Sequence, residues 1–159
     1  MTPTVFFIGD THFGHNNILK FESTRPFRQF DSIEEHDEEL VKRWNEVVRP
    51  HDLVWHLGDV AFGRAGLELC SRLQGRKKLV LGNHDQYGTM NYLKHFQQVY
   101  GAVAMYGYLL THVPVHPRQL EREGFDNGNI HGHLHTNRVM RTLGTQANNN
   151  QEIGRASCR

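Results

Sequence analysis

The sequence predicts an α/β fold, and three observations carry that reading. Short apolar runs at Val5 to Ile8, Leu53 to Leu57, Lys78 to Leu81, Leu109 to Thr111 and Asn129 to Ile130 each stop at Asp, Asn or His, commonly beside Gly. Buried strands of an α/β sheet end this way, where their C-terminal edge faces a ligand crevice. Helical spacing fills the gaps between the first three runs, and this strand-helix rhythm implies parallel pairing through right-handed crossovers. Beyond Asp85 the pattern turns to glycine-punctuated alternation, which indicates hairpins and a more antiparallel second half.

The first strand leads into Gly9-Asp10-Thr11-His12. On an extended backbone Asp10 and His12, two residues apart, project to the same side, so a carboxylate and an imidazole aim at one point. A strand-end Asp alone is usually a turn former or a helix cap. Repetition of ligand-type residues at every strand end favours chemistry over independent turns. Phe13 to Asn17 then forms a polar loop over the site, in which His15 either reaches a substrate phosphate or caps the following turn. In the next segment, Phe21 to Phe30, Arg25 or Arg28 could clamp a phosphate with its planar fork. The plainer reading, a surface loop pinned by its phenylalanines, is preferred.

A helix is expected from Ser32. Ser32-Ile33-Glu34-Glu35 has the capping-box spacing, and Ile33, Leu40, Trp44 and Val47 or Val48 recur on one face until Pro50 stops it. His36 and Asp37 read as solvated neighbours on that helix. After the strand that ends at Gly58-Asp59, Val60 to Arg64 is a loop into a second helix over Leu67 to Leu73, closed by Gly75. Arg76-Lys77-Lys78 reads as a solvated edge ahead of the third strand, which runs into Gly82-Asn83-His84-Asp85. Met90 to Phe96 suggests another helix and Val99 to Thr111 a hairpin. Gln119 to Glu123 reads as a polar connector, Asp126 to Asn129 as a turn, and Arg138 to Arg141 as a further strand.

Composition bounds the rest. The 159 residues make one domain, placed at residues 1–145, large enough to bury a core without staples. A net charge of +1 argues against extended nucleic acid as a partner. The two cysteines, Cys70 and Cys158, lie far apart and suggest a reducing compartment, with Cys70 a small core residue. No run is long enough for a membrane span and the start lacks signal-peptide anatomy, so a cytoplasmic protein is expected. Residues 146–159 read as a non-native or disordered tail: Glu152 to Arg159 resembles the in-frame translation of a sequencing adapter, which would leave the domain truncated.

In motif and order the chain resembles the calcineurin-like metallophosphoesterases, whose pattern is D-x-H, G-D, G-N-H-D, a lone His and G-H-x-H. Here these are Asp10-Thr11-His12, Gly58-Asp59, Gly82-Asn83-His84-Asp85, His112 and Gly132-His133-Leu134-His135. The resemblance implies a four-layer α/β/β/α sandwich with mixed sheets. It also implies a metal-dependent hydrolase of phosphate esters, a phosphodiesterase or phosphomonoesterase, with a dinuclear metal centre and a metal-bridging hydroxide. Asp10, His12, Asp59 and His135 would hold the first ion, and Asp59, Asn83, His112 and His133 the second. His84 would stabilise charge on the phosphorus oxygens or protonate the departing oxygen, with Asp85 raising its pKa and fixing its ring, while His131 and His116 touch substrate or, preferably, support the ligands.

Oxygen and nitrogen ligands without thiolate suit Mn, Fe, Zn, Ni or Co. The expected partner is a small phosphate ester; oligomeric state is not readable. The rival functions are a catalytically silent interaction protein that keeps the fold, and a nuclease.

Overall fold

The computed structural model describes residues 2–22, 24–135, 140–141 and 151–152. The apolar runs form strands as their patterning requires. β1 (Val5–Ile8), β2 (Leu53–His56), β3 (Arg76–Val80) and β4 (Gln98–Tyr100) make one sheet in the order β1-β2-β3-β4, parallel throughout. β5 (Val103–Met105), β6 (Tyr108–Thr111) and β7 (Gly128–His131) make a second, in which β5 and β6 are antiparallel and β6 and β7 parallel. No helix among the described residues is long and apolar enough to cross a membrane.

Alternation along β2 explains the layers. Val54 joins a core shared with Val41 and Trp44 of α1 (Ile33–Val47) and with Leu67 of α2 (Gly63–Glu68), while its neighbour Trp55 packs, together with Leu57 and Val80, against Leu110 and Ile130 of the second sheet. The sheets therefore meet through one face of β2 and the helices cover the other. α4 (Pro117–Arg122) lies against β7 on the outside of the second sheet, completing the α/β/β/α order. The Ser32 hydroxyl caps α1 by accepting from Glu35 N (3.1 Å), and Glu35 reaches back to Asp31 N (2.9 Å).

Several sequence expectations are corrected. The second helix begins at Gly63 and is finished by a 3-10 turn at Leu69–Arg72, so Gly75 (φ 91°) turns the chain into β3 and does not end the helix. Arg76 to Lys78 is no solvated edge but the start of β3. Lys77 is 9 % exposed, its aliphatic stem buried and its ammonium on Leu73 O at 2.5 Å. The helix expected over Met90 to Phe96 is the single turn α3 (Thr89–Tyr92). Val99 belongs to β4 of the first sheet, so the hairpin is confined to β5 and β6 around Tyr106 and Gly107. The run of alternating residues hides this change of sheet at Gly101. Gln119 to Glu123 falls largely in α4, whose Pro117 is preset for a first helical position and whose single apolar anchor, Leu120, gives no visible periodicity.

Met140–Arg141 forms β8, paired antiparallel with β9 (Gln151–Glu152). The expectation for residues 146–159 otherwise lies outside the described residues, as does Cys158. Cys70 is fully buried.

Candidate metal centre

Parallel strands deliver their C-terminal ends to one edge, so β1, β2 and β3 present Asp10, Asp59 and the Gly82 to Asp85 loop side by side. The same loops continue the ladder beyond the strands: Asp10 N donates to Gly58 O (2.9 Å), His12 N to Asp59 O and Phe13 N to Val60 O (both 3.0 Å). From the second sheet, His112 follows β6 and Gly132 to His135 follows β7. His133 N donates to both Asp10 carboxylate oxygens (3.1 and 3.0 Å), and His112 Nδ1 donates to Leu57 O at 2.7 Å, which joins the two sheets at this edge.

The extended backbone expected at Asp10 and His12 is not what forms. Asp10 (φ 60°), His12 (51°), Asp59 (54°), His133 (69°) and His135 (48°) all adopt the left-handed region, and among the described non-glycine residues only Tyr106 joins them. Asp and His tolerate this region better than most, but it remains sparsely populated and concentrates at functional sites. Asp10 and His12 converge because the chain coils between them.

One ligand atom from each of Asp10, His12 and His135 lies within 4.8 Å of the others, and the same holds for Asp59, His112 and His133. Asp59 Oδ2 stands between the groups, 3.8 Å from His12 Nε2 and 3.3 Å from His112 Nε2. His112 Nε2 is also 2.9 Å from Asn83 Oδ1 and 3.2 Å from His133 Nδ1. Asp10, His12, Asp59 and His112 are buried; Asn83 and His84 are exposed and mark the open side. Neither ring nitrogen of His12 has a hydrogen-bond partner among the described residues, although both are buried. A buried polar atom left unpaired costs about 1–3 kcal/mol, and a cation bound by one of them would satisfy it. The donor set of carboxylate, imidazole and amide oxygen fits a divalent ion.

Glycines make the approach possible. A Cβ on Gly82 would collide with Asp59 Oδ1 and lie 3.0 Å from Asp59 Cγ, and one on Gly132 would lie 2.8 Å from Asp10 Oδ2. Electrostatics prepares the imidazoles. Burial keeps His12 well below the usual histidine range and brings His135 down to about 4, the Arg28 charge adding to both, so each offers a free lone pair at neutral pH. Burial pushes Asp10 up to about 7. At Asp59, burial is outweighed by the His112 hydrogen bond and by His84 N, which keep the carboxylate ionised.

The remaining sequence candidates are placed variously. No hydrogen bond joins the Asp85 carboxylate to the His84 ring. Its carboxylate accepts from Asp59 N (2.9 Å), Val60 N (2.9 Å) and Gly82 N (2.7 Å), tying two ligand loops together. The His84 ring faces His12 and Phe62, with centroids 6.1 and 5.3 Å away. His15 makes no capping bond; it stacks on Phe62 at 3.8 Å and lies 5.5 Å from the His12 ring. Arg25 is exposed, lining a cleft with Lys20 and Gln29 that none of the candidate ligands lines. His131 is buried with Nδ1 donating to Gly132 O (2.9 Å), and His116 caps α4.

Arg28 is not a surface clamp. It is 6 % exposed and its guanidinium is directed at the backbone carbonyls of Asp10 and Thr11 and at His36. Its phenylalanines pin the segment only through Phe30, edge-on against His36; Phe21 and Phe27 are about half exposed, while Thr24 and Arg28 are buried. His36 and Asp37 are buried too, and this overturns their reading as solvated neighbours. The signal was present: positions 33, 36, 37, 40, 41 and 44 form one helical stripe, and the two polar residues lie within it. His56, whose Nε2–H meets Thr11 Oγ1 at 3.0 Å while Nδ1 accepts from Gly58 N, was likewise missed.

Comparison with known proteins gives a consistent picture. Residues 4–156 match the calcineurin-like phosphoesterase superfamily domain. The chain is 34 % identical over 139 residues to an uncharacterized protein of Methanocaldococcus jannaschii, covering 85 % of this chain and 71 % of that one. It is 32 % identical over 168 residues to the Gene 66 protein of Mycobacterium phage L5, covering 85 % and 79 %. A crystal structure of a protein of unknown function from Aquifex aeolicus superposes with a TM-score of 0.66 at 26 % identity, over 86 % of this chain and 81 % of that one.

Proposed function

The chain belongs to the calcineurin-like phosphoesterase superfamily, whose members use divalent metals, and on that footing we propose that it hydrolyses a small phosphate ester at two metal ions. The observation that carries this reading is the pair of ligand groups meeting at Asp59, with the nitrogens of His12 left unpaired in the interior. Asp10, His12, Asp59 and His135 would hold one ion, and Asp59, Asn83, His112 and His133 the other. Cations there would polarise the phosphoryl oxygens and bring the pKa of a water toward about 7.

The chain's own residues do the rest. Asp59 keeps one oxygen on His84 N (2.9 Å) and turns the other toward both groups. Asn83 adds a neutral oxygen, which limits the negative charge facing a phosphate. His84, exposed at the open side, would give a proton to the departing oxygen. His15 and Phe62 form an aromatic wall beside it against which an ester group can rest. Mn, Fe, Zn, Ni or Co suit the ligands, and a net charge of +1 suits a small substrate better than a long polyanion.

The test compares bound metal and turnover of bis-p-nitrophenyl phosphate in Asp59→Asn and His84→Ala. Asp59→Asn should lose both together. His84→Ala should keep its metal and lose about 10²- to 10⁴-fold in rate. Undiminished turnover in His84→Ala would remove that residue from the mechanism, and a folded wild-type chain that takes up no metal would end the proposal.

A further inference from the structure

Bonded to the backbone of residues 10 to 14 is a chain of buried charged and polar groups with no part in the mechanism above. The Arg28 guanidinium donates through Nη1 to Thr11 O (3.1 Å) and His36 Nε2 (2.6 Å), and through Nη2 to Asp10 O. A guanidinium only donates, so His36 Nε2 must accept and its proton must sit on Nδ1. Nδ1–H then donates to Asp37 Oδ1 at 2.8 Å, and Asp37 Oδ2 accepts from Gly14 N, also at 2.8 Å. The order is therefore fixed: cation, neutral imidazole, carboxylate. Exposures of 6, 0 and 6 % for Arg28, His36 and Asp37 place all of it in the interior, with Phe30 edge-on against His36.

The two ends of this relay grip the same short segment. Arg28 holds it at the carbonyls of residues 10 and 11, and Asp37 holds it at the amide of residue 14. The segment so held carries Asp10 and His12, at φ 60° and 51°. Burying a guanidinium and a carboxylate is costly. The cost has a use if the relay imposes a left-handed backbone that the segment would not keep by itself, anchoring it to α1, which supplies His36 and Asp37.

We propose that Arg28, His36 and Asp37 are positioning residues for the metal centre, holding Asp10 and His12 in register so that this group of ligands is formed before a cation arrives. The inference rests on the reading that Asp10 and His12 bind metal. Groups that orient ligands in this way commonly matter 10- to 100-fold in metal affinity. Lysine cannot replace the fork, because an ammonium keeps the charge but cannot span two carbonyls and an imidazole in one plane.

Mn²⁺ titration followed by electron paramagnetic resonance of the free ion tests this on the full chain, with Arg28→Lys as the main variant and Asp37→Asn as a milder one. Wild type should bind two Mn²⁺. Arg28→Lys should weaken one of the two by about 10- to 100-fold and leave the other within about twofold, and Asp37→Asn should do the same to a smaller degree. In an Asp10→Asn background, where that site is already lost, Arg28→Lys should change nothing further. Unchanged affinities in both variants, or equal weakening of both sites, would overturn the inference and leave the metal reading intact. A wild-type chain that binds no Mn²⁺ would overturn the metal reading itself, and the inference with it.

Discussion

Removing the Asp85 carboxylate separates two accounts of that residue. Next to His84 in sequence, it reads as the group that fixes a catalytic ring; in the structure it is a strut. Its oxygens accept the backbone N–H groups of Asp59, Val60 and Gly82 at 2.7 to 2.9 Å, with the Tyr92 hydroxyl at 3.4 Å. Asp85→Ala leaves those three amides without their acceptor. Each unsatisfied buried amide costs about 1–3 kcal/mol. Asp85 is only partly buried and water can reach the gap, so the lower figure applies to each, about 3 kcal/mol in all. For a domain of this length that corresponds to a fall in Tm of about 6–12 °C. Asp85→Asn keeps one oxygen, which can serve Asp59 N and Gly82 N but not Val60 N, and should cost about 1–2 kcal/mol. Thermal unfolding followed by circular dichroism reads both, alongside turnover measured well below Tm. An Asp85→Ala protein whose Tm stays within about 2 °C of wild type while turnover collapses would refute the strut and restore a direct action on His84.

Three further outcomes are expected. Gly82→Ala should cost about 1–3 kcal/mol and weaken Mn²⁺ binding, because its Cβ meets Asp59, whereas Gly101→Ala, with open space around the new methyl, should be neutral or slightly stabilising in the same urea titration. In the metal-free chain, burial keeps His12, His56 and His135 neutral in the fold, His56 down to about 3 and His135 to about 4. Since their unfolded values lie near 6.5, and His15 and His133 are lowered by burial as well, stability should be lost as pH falls from 6.5 toward 4; Asp10, raised to about 7 by burial, Asp85, also raised by burial, and His112, where the Asp59 hydrogen bond outweighs burial, oppose this in part. An EDTA-treated protein whose urea midpoint rises between pH 7 and pH 5 would contradict this balance. Cys70 is fully buried and its thiol is pushed up to about 12, so in a Cys158→Ser background a disulfide reagent at pH 8 should label nothing until urea unfolds the chain.

The sequence by itself determined the strand ends. Each apolar run followed by Gly and a ligand-type residue stated where a strand stops and which side chains stand at its edge, because both signals are local. Residue order was enough to group Asp10, His12, Asp59, Asn83, His112, His133 and His135 by resemblance, and Ser32 to Trp44 announced α1 by its cap and stripe. Tertiary structure alone decided what lies behind that edge. Whether Arg28 points at solvent or at the carbonyls of Asp10 and Thr11 depends on where α1 packs, and Asp85 could be seen as a strut only once the β2 and β3 loops stood side by side. His36 and Asp37 look like any polar pair until a buried guanidinium arrives to meet them. Left-handed φ at the ligand residues was equally invisible, for no neighbour in sequence demands it, and the groups bonded to the backbone of residues 10 to 14 come from distant parts of the chain.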